Sequence, residues 1–249
     1  MSQNSQSFIP VTLLEGHTVL IDPRSAEVGG CWQGRNENGQ PCVWDSVVLE
    51  LVLDILTRGG DESFLVDIGA NTGYCALLPT LNRQIRCLAF EPNLEICAIL
   101  QKNIEINGLS DNVQVLPVAL AEKPGTAVLK IPASGVDSGL ACMGSPTRFA
   151  SWHEVSVPVD TLDRILERKK IHKVDFIKID TEGAELFVLR GGLETIKKHR
   201  PAVLCEYWAP NTAQFGYHPD AITSLMETLG YTSRKVGEED VLFVFDEHA

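Results

Sequence analysis

From residue 64 to residue 245, short apolar runs alternate with longer amphipathic stretches, and this alternation admits few architectures. FLVD (64–67), IRCLAF (85–90), VQVLPVAL (113–120), VDFIKID (174–180) and AVLCEYW (202–208) read as strands. Helices are expected over 72–81, 94–106, 184–199 and 221–229. The second of these stops at Asn107-Gly108 and the third before Pro201, both recognised helix terminators. Gly230 turns the chain into 231–236, and with VLFVF (241–245) this segment reads as a hairpin at a sheet edge. Nearly continuous apolar strands separated by helices indicate a doubly wound, mostly parallel α/β sheet covered on both faces. Within the fourth strand, alternation sends Lys178 to the face opposite Ile177 and Ile179, and burial of that lysine is not expected.

Two regions stand outside the repeat. Residues 1–43 hold a strand-like TVLID (18–22) and a Gly/Asn-rich loop over 29–39, followed by a helix over about 45–58. Residues 132–152 show no period, and a loop of that length in a compact domain serves as a lid, serves as a binding loop, or is disordered. The expected organisation is an N-terminal extension (1–58) and a main domain (59–249) with a substrate or lid loop at 132–152.

Acidic residues outnumber basic ones by 33 to 21, a formal charge of −12, which argues against a nucleic-acid partner because neutralising phosphates takes a basic patch. The apolar runs are too short to cross a bilayer, so no membrane partner is expected. MSQNSQS shows no basic stretch followed by an apolar one, so the expectation is a soluble cytoplasmic protein. The seven cysteines form no CxxC pair and most lie in apolar segments, which favours reduced structural thiols over a metal cluster. A homo-oligomer is left open.

The sharpest local signal is DIGANTG (67–73), between the first strand and the first helix expected in this repeat. In a doubly wound sheet, ligands bind at the carboxyl ends of the strands, and the first such turn is the preferred cofactor cradle. A dinucleotide fingerprint needs GxGxxG, whereas the corresponding positions here are Gly69, Asn71 and Tyr74. The glycine that clears room for a pyrophosphate is absent, so the turn suits a cofactor without one and weighs against a nicotinamide oxidoreductase. Asp67 puts a carboxylate where a cationic amino-acid moiety could sit. Glu91, 24 residues on at the next strand tip, can accept hydrogen bonds from both ribose hydroxyls. Together they select an adenosine ligand with positive charge nearby, and S-adenosyl-L-methionine fits. Ala70, Pro92, Asn93, Ala119 and Asp180 are expected beside Asp67, Gly69, Asn71, Gly73 and Glu91 around it. The structural alternative is a tight turn closed by Gly69 and Gly73, with Glu91 a solvated strand end.

DIGANTG, FEPN (90–93), VDTLDRI (159–165), VDFIKIDTEGAELFVLRGG (174–192) and LCEYW (204–208), in that order, resemble the FkbM-type S-adenosylmethionine-dependent methyltransferases. IKIDTEGAE is the most specific part. The resemblance implies a seven-stranded Rossmann-like domain in which Asp67, Gly69, Asn71, Gly73 and Glu91 match the cofactor motifs. It also implies O-methylation of hydroxyls on sugars or small natural products.

On the reacting side, a hydroxyl acceptor needs alignment and a group to take its proton. Asp180, Glu182 and Glu206, at or beside adjacent strand tips, can raise one another's pKa into the neutral range, and they suit a divalent cation equally. Asp180 could instead cap the next helix, with Glu182 and Glu185 complementing its dipole. His153 and His218 are further candidate bases. Trp152 and Trp208 either stack on substrate or pack, and Arg148 either meets an anionic group or is solvated. Two rival functions remain: an N-methyltransferase of nucleic acid or protein, and a non-catalytic nucleotide-binding module. Against the nucleic-acid enzyme, the fourth strand tip reads IDTEG where such enzymes carry an NPPY-like tetrad.

Overall fold

The computed structural model describes residues 7–246 apart from 15, 29, 37–38, 45, 134–139 and 147. The start of the helix expected over about 45–58, part of the Gly/Asn-rich loop and the middle of the 132–152 loop therefore lie outside the described residues. The chain begins with β1 (Ile9–Leu14), β2 (His17–Ile21), α1 (Pro23–Glu27), β3 (Gly34–Arg35), β4 (Pro41–Cys42) and α2 (Ser46–Thr57). The main domain continues with β5 (Ser63–Ile68), β6 (Ile85–Phe90), α3 (Leu94–Ile106), β7 (Val113–Leu116), β8 (Ala119–Leu120), β9 (Gly125–Pro132) and β10 (Trp152–Asp160). It ends with α4 (Leu162–Lys169), β11 (Phe176–Ile179), α5 (Glu185–Arg190), α6 (Leu193–His199), β12 (Ala202–Glu206), α7 (Ala209–Ala213), α8 (Asp220–Thr228), β13 (Tyr231–Val236) and β14 (Asp240–Phe245).

Seven strands form the central sheet in the order β13-β14-β12-β11-β5-β6-β7, with only β14 antiparallel to its neighbours, the edge strand β13 and β12. The doubly wound expectation holds. Leu65, Ala89, Phe176 and Leu204 pack on one face with α2 and α3, while Val66, Ile68, Ile177 and Ile179 pack on the other with α4, α5, α6 and α8. Burying each such side chain contributes about 1.5–3 kcal/mol, which is why these strands read as uninterrupted apolar runs.

Several elements differ from the sequence reading, each for a local reason. No α-helix forms over 72–81; the segment is a series of turns ending in a 3-10 turn at Leu78–Thr80. Asn71 (φ 49°) and Gly73 (φ 100°) lie in left-handed conformations that an α-helix cannot contain. The run 113–120 breaks at Pro117 into β7 in the central sheet and β8 in a second sheet of order β8-β10-β9. The expected 184–199 helix divides into α5 and α6 at Gly191-Gly192, where a Cβ on Gly191 would come within 2.1 Å of the Ala121 carbonyl oxygen. The β9–β10 hairpin, paired from Trp152↔Pro132 to Val159↔Gly125, was not expected at all.

The N-terminal segment is not a loose appendage. β1, β2, β3 and β4 form their own sheet, whose Val11, Leu13, Val19 and Ile21 share one core with Leu65, Cys87 and Leu100 of the main domain. Asn103 of α3 joins them: its Oδ1 accepts from Asp22 N (2.7 Å) while its Nδ2 donates to Ser25 Oγ and to Thr72 O. Trp32 Nε1 donates to Thr72 Oγ1 at 2.6 Å. The extension thus braces the turn that follows β5.

Candidate active site

The C-terminal ends of β5, β6 and β11 open onto a cavity of about 380 Å³, within the range of small-molecule sites. Gly69 makes the first tight approach: at φ 73°, its Cβ would stand 1.7 Å from the Asp180 carbonyl oxygen. Gly69 N and Ala70 N both donate to Phe90 O, at 3.0 and 2.9 Å, which folds the turn over the tip of β6. Asn71 N then donates to Glu91 Oε2 (3.0 Å) and Asn93 N to Glu91 Oε1 (2.9 Å). Burial nevertheless pushes the Glu91 carboxyl up to about 7, with the two amides pulling the other way. Asn93 caps α3 by accepting from Glu95 N.

Of the residues expected around a cofactor, Gly69, Asn71, Glu91, Pro92, Ala119 and Asp180 line this cavity, whereas Asp67, Ala70, Gly73 and Asn93 do not. Gly73 has a steric role, since a Cβ there would meet Leu100 Cδ1 at 2.3 Å. Asp67 does not stand where expected. It is fully buried and sits opposite Lys178 in the β5–β11 register. Among the described residues neither of its oxygens has a partner in good hydrogen-bond geometry, and the Ala76 amide acts on it only weakly. Burial raises this carboxyl to about 6, and Lys178 restrains the rise. The cation expected beside Asp67 is therefore a side chain of the protein itself.

Lys178 corrects a second expectation, being only 3% exposed. Burial alone would lower its pKa, but the carboxylates of Asp180 and Asp67 outweigh that and hold the ammonium above the ordinary lysine range. Alternation places it on the Phe176 face as expected; the acids at its tip make burial tolerable.

At the other end of the cavity stand Asp180, Glu182 and Glu206, each with a carboxylate oxygen within 4.8 Å of the others. Glu182 holds φ 55°, a strained conformation for a residue with a Cβ, which marks the turn after β11 as over-determined by its surroundings. Asn211 Nδ2 on α7 bridges the pair, donating to Glu182 Oε2 at 2.6 Å and to Glu206 Oε1 at 3.2 Å. Burial and then the Asp180 charge raise Glu182 to about 7, and the same causes in the same order lift Glu206 well above its usual range. The Arg148 guanidinium stacks 3.8 Å over Trp208 and lies 3.8, 3.9 and 3.5 Å from Glu182, Glu206 and Glu239. Neither residue is merely a solvated or packing side chain. Glu185 turns inward, accepting from Thr181 N and Gly183 N, so it secures the turn instead of entering the cavity.

His153 is not part of this constellation. It is exposed, pairs with Ile131 across β9–β10, and lines a separate groove with Arg24 and Leu94, because β10 carries it away from the strand tips. His218 is exposed and meets Asp220, and Trp152 packs edge-on to Phe149. Lys178, Asn211, Tyr74, Trp44 and Glu239 were missed as site residues. A lysine between isoleucines in a parallel strand was the available signal for the first, and Tyr74 directly follows DIGANTG; the others are brought in by loops and short helices without a motif.

A ligand with no pyrophosphate, a ribose and a cationic end fits this cavity: Phe90, Val118 and Leu120 supply an apolar wall, Glu91 and Asn71 a polar one, and Asp180 a negative end. Such a seat at the carboxyl edge of a doubly wound sheet defines a class I S-adenosylmethionine-dependent methyltransferase. The comparisons with known proteins agree. The profile of the Methyltransferase FkbM domain matches residues 67–233, and this chain belongs to that family. It is 28% identical over 194 residues to Methyltransferase sdnD of Sordaria araneosa, covering 68% of this chain and 73% of that protein. It is 31% identical over 147 residues to Methyltransferase 1 of Beauveria bassiana, covering 53% of this chain and 59% of that one. The solved structure of Methyltransferase FkbM from Methylobacillus flagellatus superimposes with a TM-score of 0.51 at 15% identity, over 89% of this chain and 57% of that one. This chain thus spans little more than half of the FkbM structure it matches. S-adenosylmethionine is the cofactor, and the chain is a methyltransferase. Among the described residues, no helix is long and apolar enough to cross a membrane.

Proposed function

We propose that this cytoplasmic enzyme transfers a methyl group to a hydroxyl of a sugar or small natural-product-like molecule, with Glu182 accepting the proton that the hydroxyl loses. The carrying observation is the Glu182–Glu206 pair at the cavity, bridged by Asn211, with burial raising both carboxyls above their usual range and Glu182 to about 7. A carboxylate poised near pH 7 combines availability with enough basicity to assist a weakly acidic hydroxyl. When bound, S-adenosylmethionine supplies an activated methyl group. Gly69 and Asp180 would hold its amino-acid end, Glu91 its ribose, and Val118, Ala119 and Leu120 its base. Asp180 and Arg148 tune Glu182, and Trp44 gives the acceptor an apolar face. His153 has no part in this reaction.

Supporting a hydroxyl over an amine, the tip of β11 presents carboxylates and lacks the amide–aromatic pair that would receive a flipped base. The test is transfer from methyl-labelled cofactor to a panel of hydroxyl-bearing glycans and metabolites, with amines, RNA and DNA in parallel. Methylated oxygen lost in Glu182→Gln, with S-adenosylhomocysteine still bound, supports the assignment. Methylated nitrogen alone, or binding without turnover on any acceptor, refutes it. Repeating the assay after chelation tells whether a divalent cation on Asp180, Glu182 and Glu206 assists the deprotonation.

A further inference from the structure

Lys178 takes no part in the transfer described above, yet it is the most deeply buried cation among the residues lining the cavity. Its Nζ donates to Asp180 Oδ2 at 3.1 Å and to the Gly69 carbonyl at 3.2 Å, while Asp67 Oδ1 stands 3.9 Å away. The Tyr74 ring centroid lies 5.3 Å from the same nitrogen. An ammonium has three N–H donors, and here two go to oxygens of the cavity wall while the buried acid receives only the charge. If neutralising Asp67 were the whole purpose, the short contact would be to Asp67. Gly69 follows β5 and Asp180 follows β11, so one nitrogen links the two turns that bound the cofactor end.

We propose that Lys178 is a positioning residue for the cofactor: its ammonium ties the Gly69 carbonyl to the Asp180 carboxylate and fixes both oxygens where they receive the cofactor's cationic end. This rests on the assignment of Gly69 and Asp180 to that end. Without the tie, the Asp180 side chain, already 40% exposed, turns out to water and the Gly69 carbonyl loses its partner. A charged hydrogen bond of this kind is worth about tenfold or more in affinity when lost. A permanent cation suits the role because it donates at every physiological pH.

The test is a cycle of binding and melting measurements on wild type, Asp67→Asn, Lys178→Met, the double variant and Lys178→Arg, with S-adenosylhomocysteine titrated by calorimetry. Lys178→Met should lose both thermal stability and about tenfold in affinity. The double variant, free of an uncompensated buried carboxylate, should melt close to Asp67→Asn and still bind about tenfold more weakly than it. Lys178→Arg should recover part of the affinity. The double variant and Lys178→Arg carry the test even where Lys178→Met is not obtained folded. A double variant that binds as tightly as Asp67→Asn would overturn the proposal, leaving Lys178 a neutraliser of Asp67. Wild-type protein that binds no S-adenosylhomocysteine would instead sink the underlying cofactor assignment.

Discussion

Replacing Gly69 by alanine isolates the contact on which the cofactor turn depends. The added Cβ would lie 1.7 Å from Asp180 O and 2.8 Å from Asp180 C. Ordinary contact needs about 3.4 Å, so the two turns must separate by well over an ångström. That movement breaks the Asp180 N to Ile68 O bond (3.0 Å) and the Lys178 bond to Gly69 O. The left-handed backbone costs about 1–2 kcal/mol and each lost hydrogen bond about 1 kcal/mol, a total of roughly 3–4 kcal/mol. For a chain of this size that lowers the melting temperature by roughly 10 °C. Gly16→Ala is the matched control, since Gly16 has the same φ of 73° and none of the described residues comes within 4 Å of its Cβ. It should cost only the backbone share. Differential scanning fluorimetry with and without S-adenosylhomocysteine reads both effects, and Gly69→Ala should also show no ligand-induced shift. Equal melting temperatures for the two variants, or a normal ligand shift in Gly69→Ala, would refute the steric reasoning.

Three further outcomes follow from the same geometry. Glu182 must be ionised to accept a proton, so kcat/KM should fall below about pH 7; Arg148→Gln removes a cation that lowers this pKa and should move the acid limb upwards in a pH–rate profile. Asp67 and Glu91 have folded pKa values raised from 3.8 to about 6 and from 4.5 to about 7, so the stability they contribute is fully present only below the unfolded values and is lost as pH rises from there through 6 to 7. Urea melts at pH 5 and pH 8 without ligand should show the loss, and Glu91→Gln should flatten it. Trp32→Phe deletes the bond to Thr72 Oγ1 and should cost about 1 kcal/mol in the same melts, with a measurable weakening of cofactor binding because the extension no longer braces the turn.

The strand tips were legible because their chemistry is local. DIGANTG with FEPN indicated a nucleoside seat without a pyrophosphate, and the apolar runs announced a parallel sheet, since strands buried on both faces carry no alternation. The β9–β10 hairpin was missed although Val155, Val157 and Val159 alternate with Ser156, Pro158 and Asp160; the unpatterned 132–152 stretch separates the two strands, so no short turn marks them as partners. The helix expected over 72–81 failed because Asn71 and Gly73 adopt left-handed backbone that no helical periodicity reveals.

What the sequence alone determined was the sheet, the order of its cofactor motifs and the carboxylates at its tips, because each depends on residues near one another along the chain. What tertiary structure decided was which charges meet. It turned Asp67 away from the cavity and onto Lys178, joined Glu182 to Glu206 through Asn211, laid Arg148 on Trp208, and carried His153 to a different groove. Those pairings span from a few to more than a hundred residues of chain, and their strength comes from burial, which acts on a carboxylate only once the surrounding walls have closed.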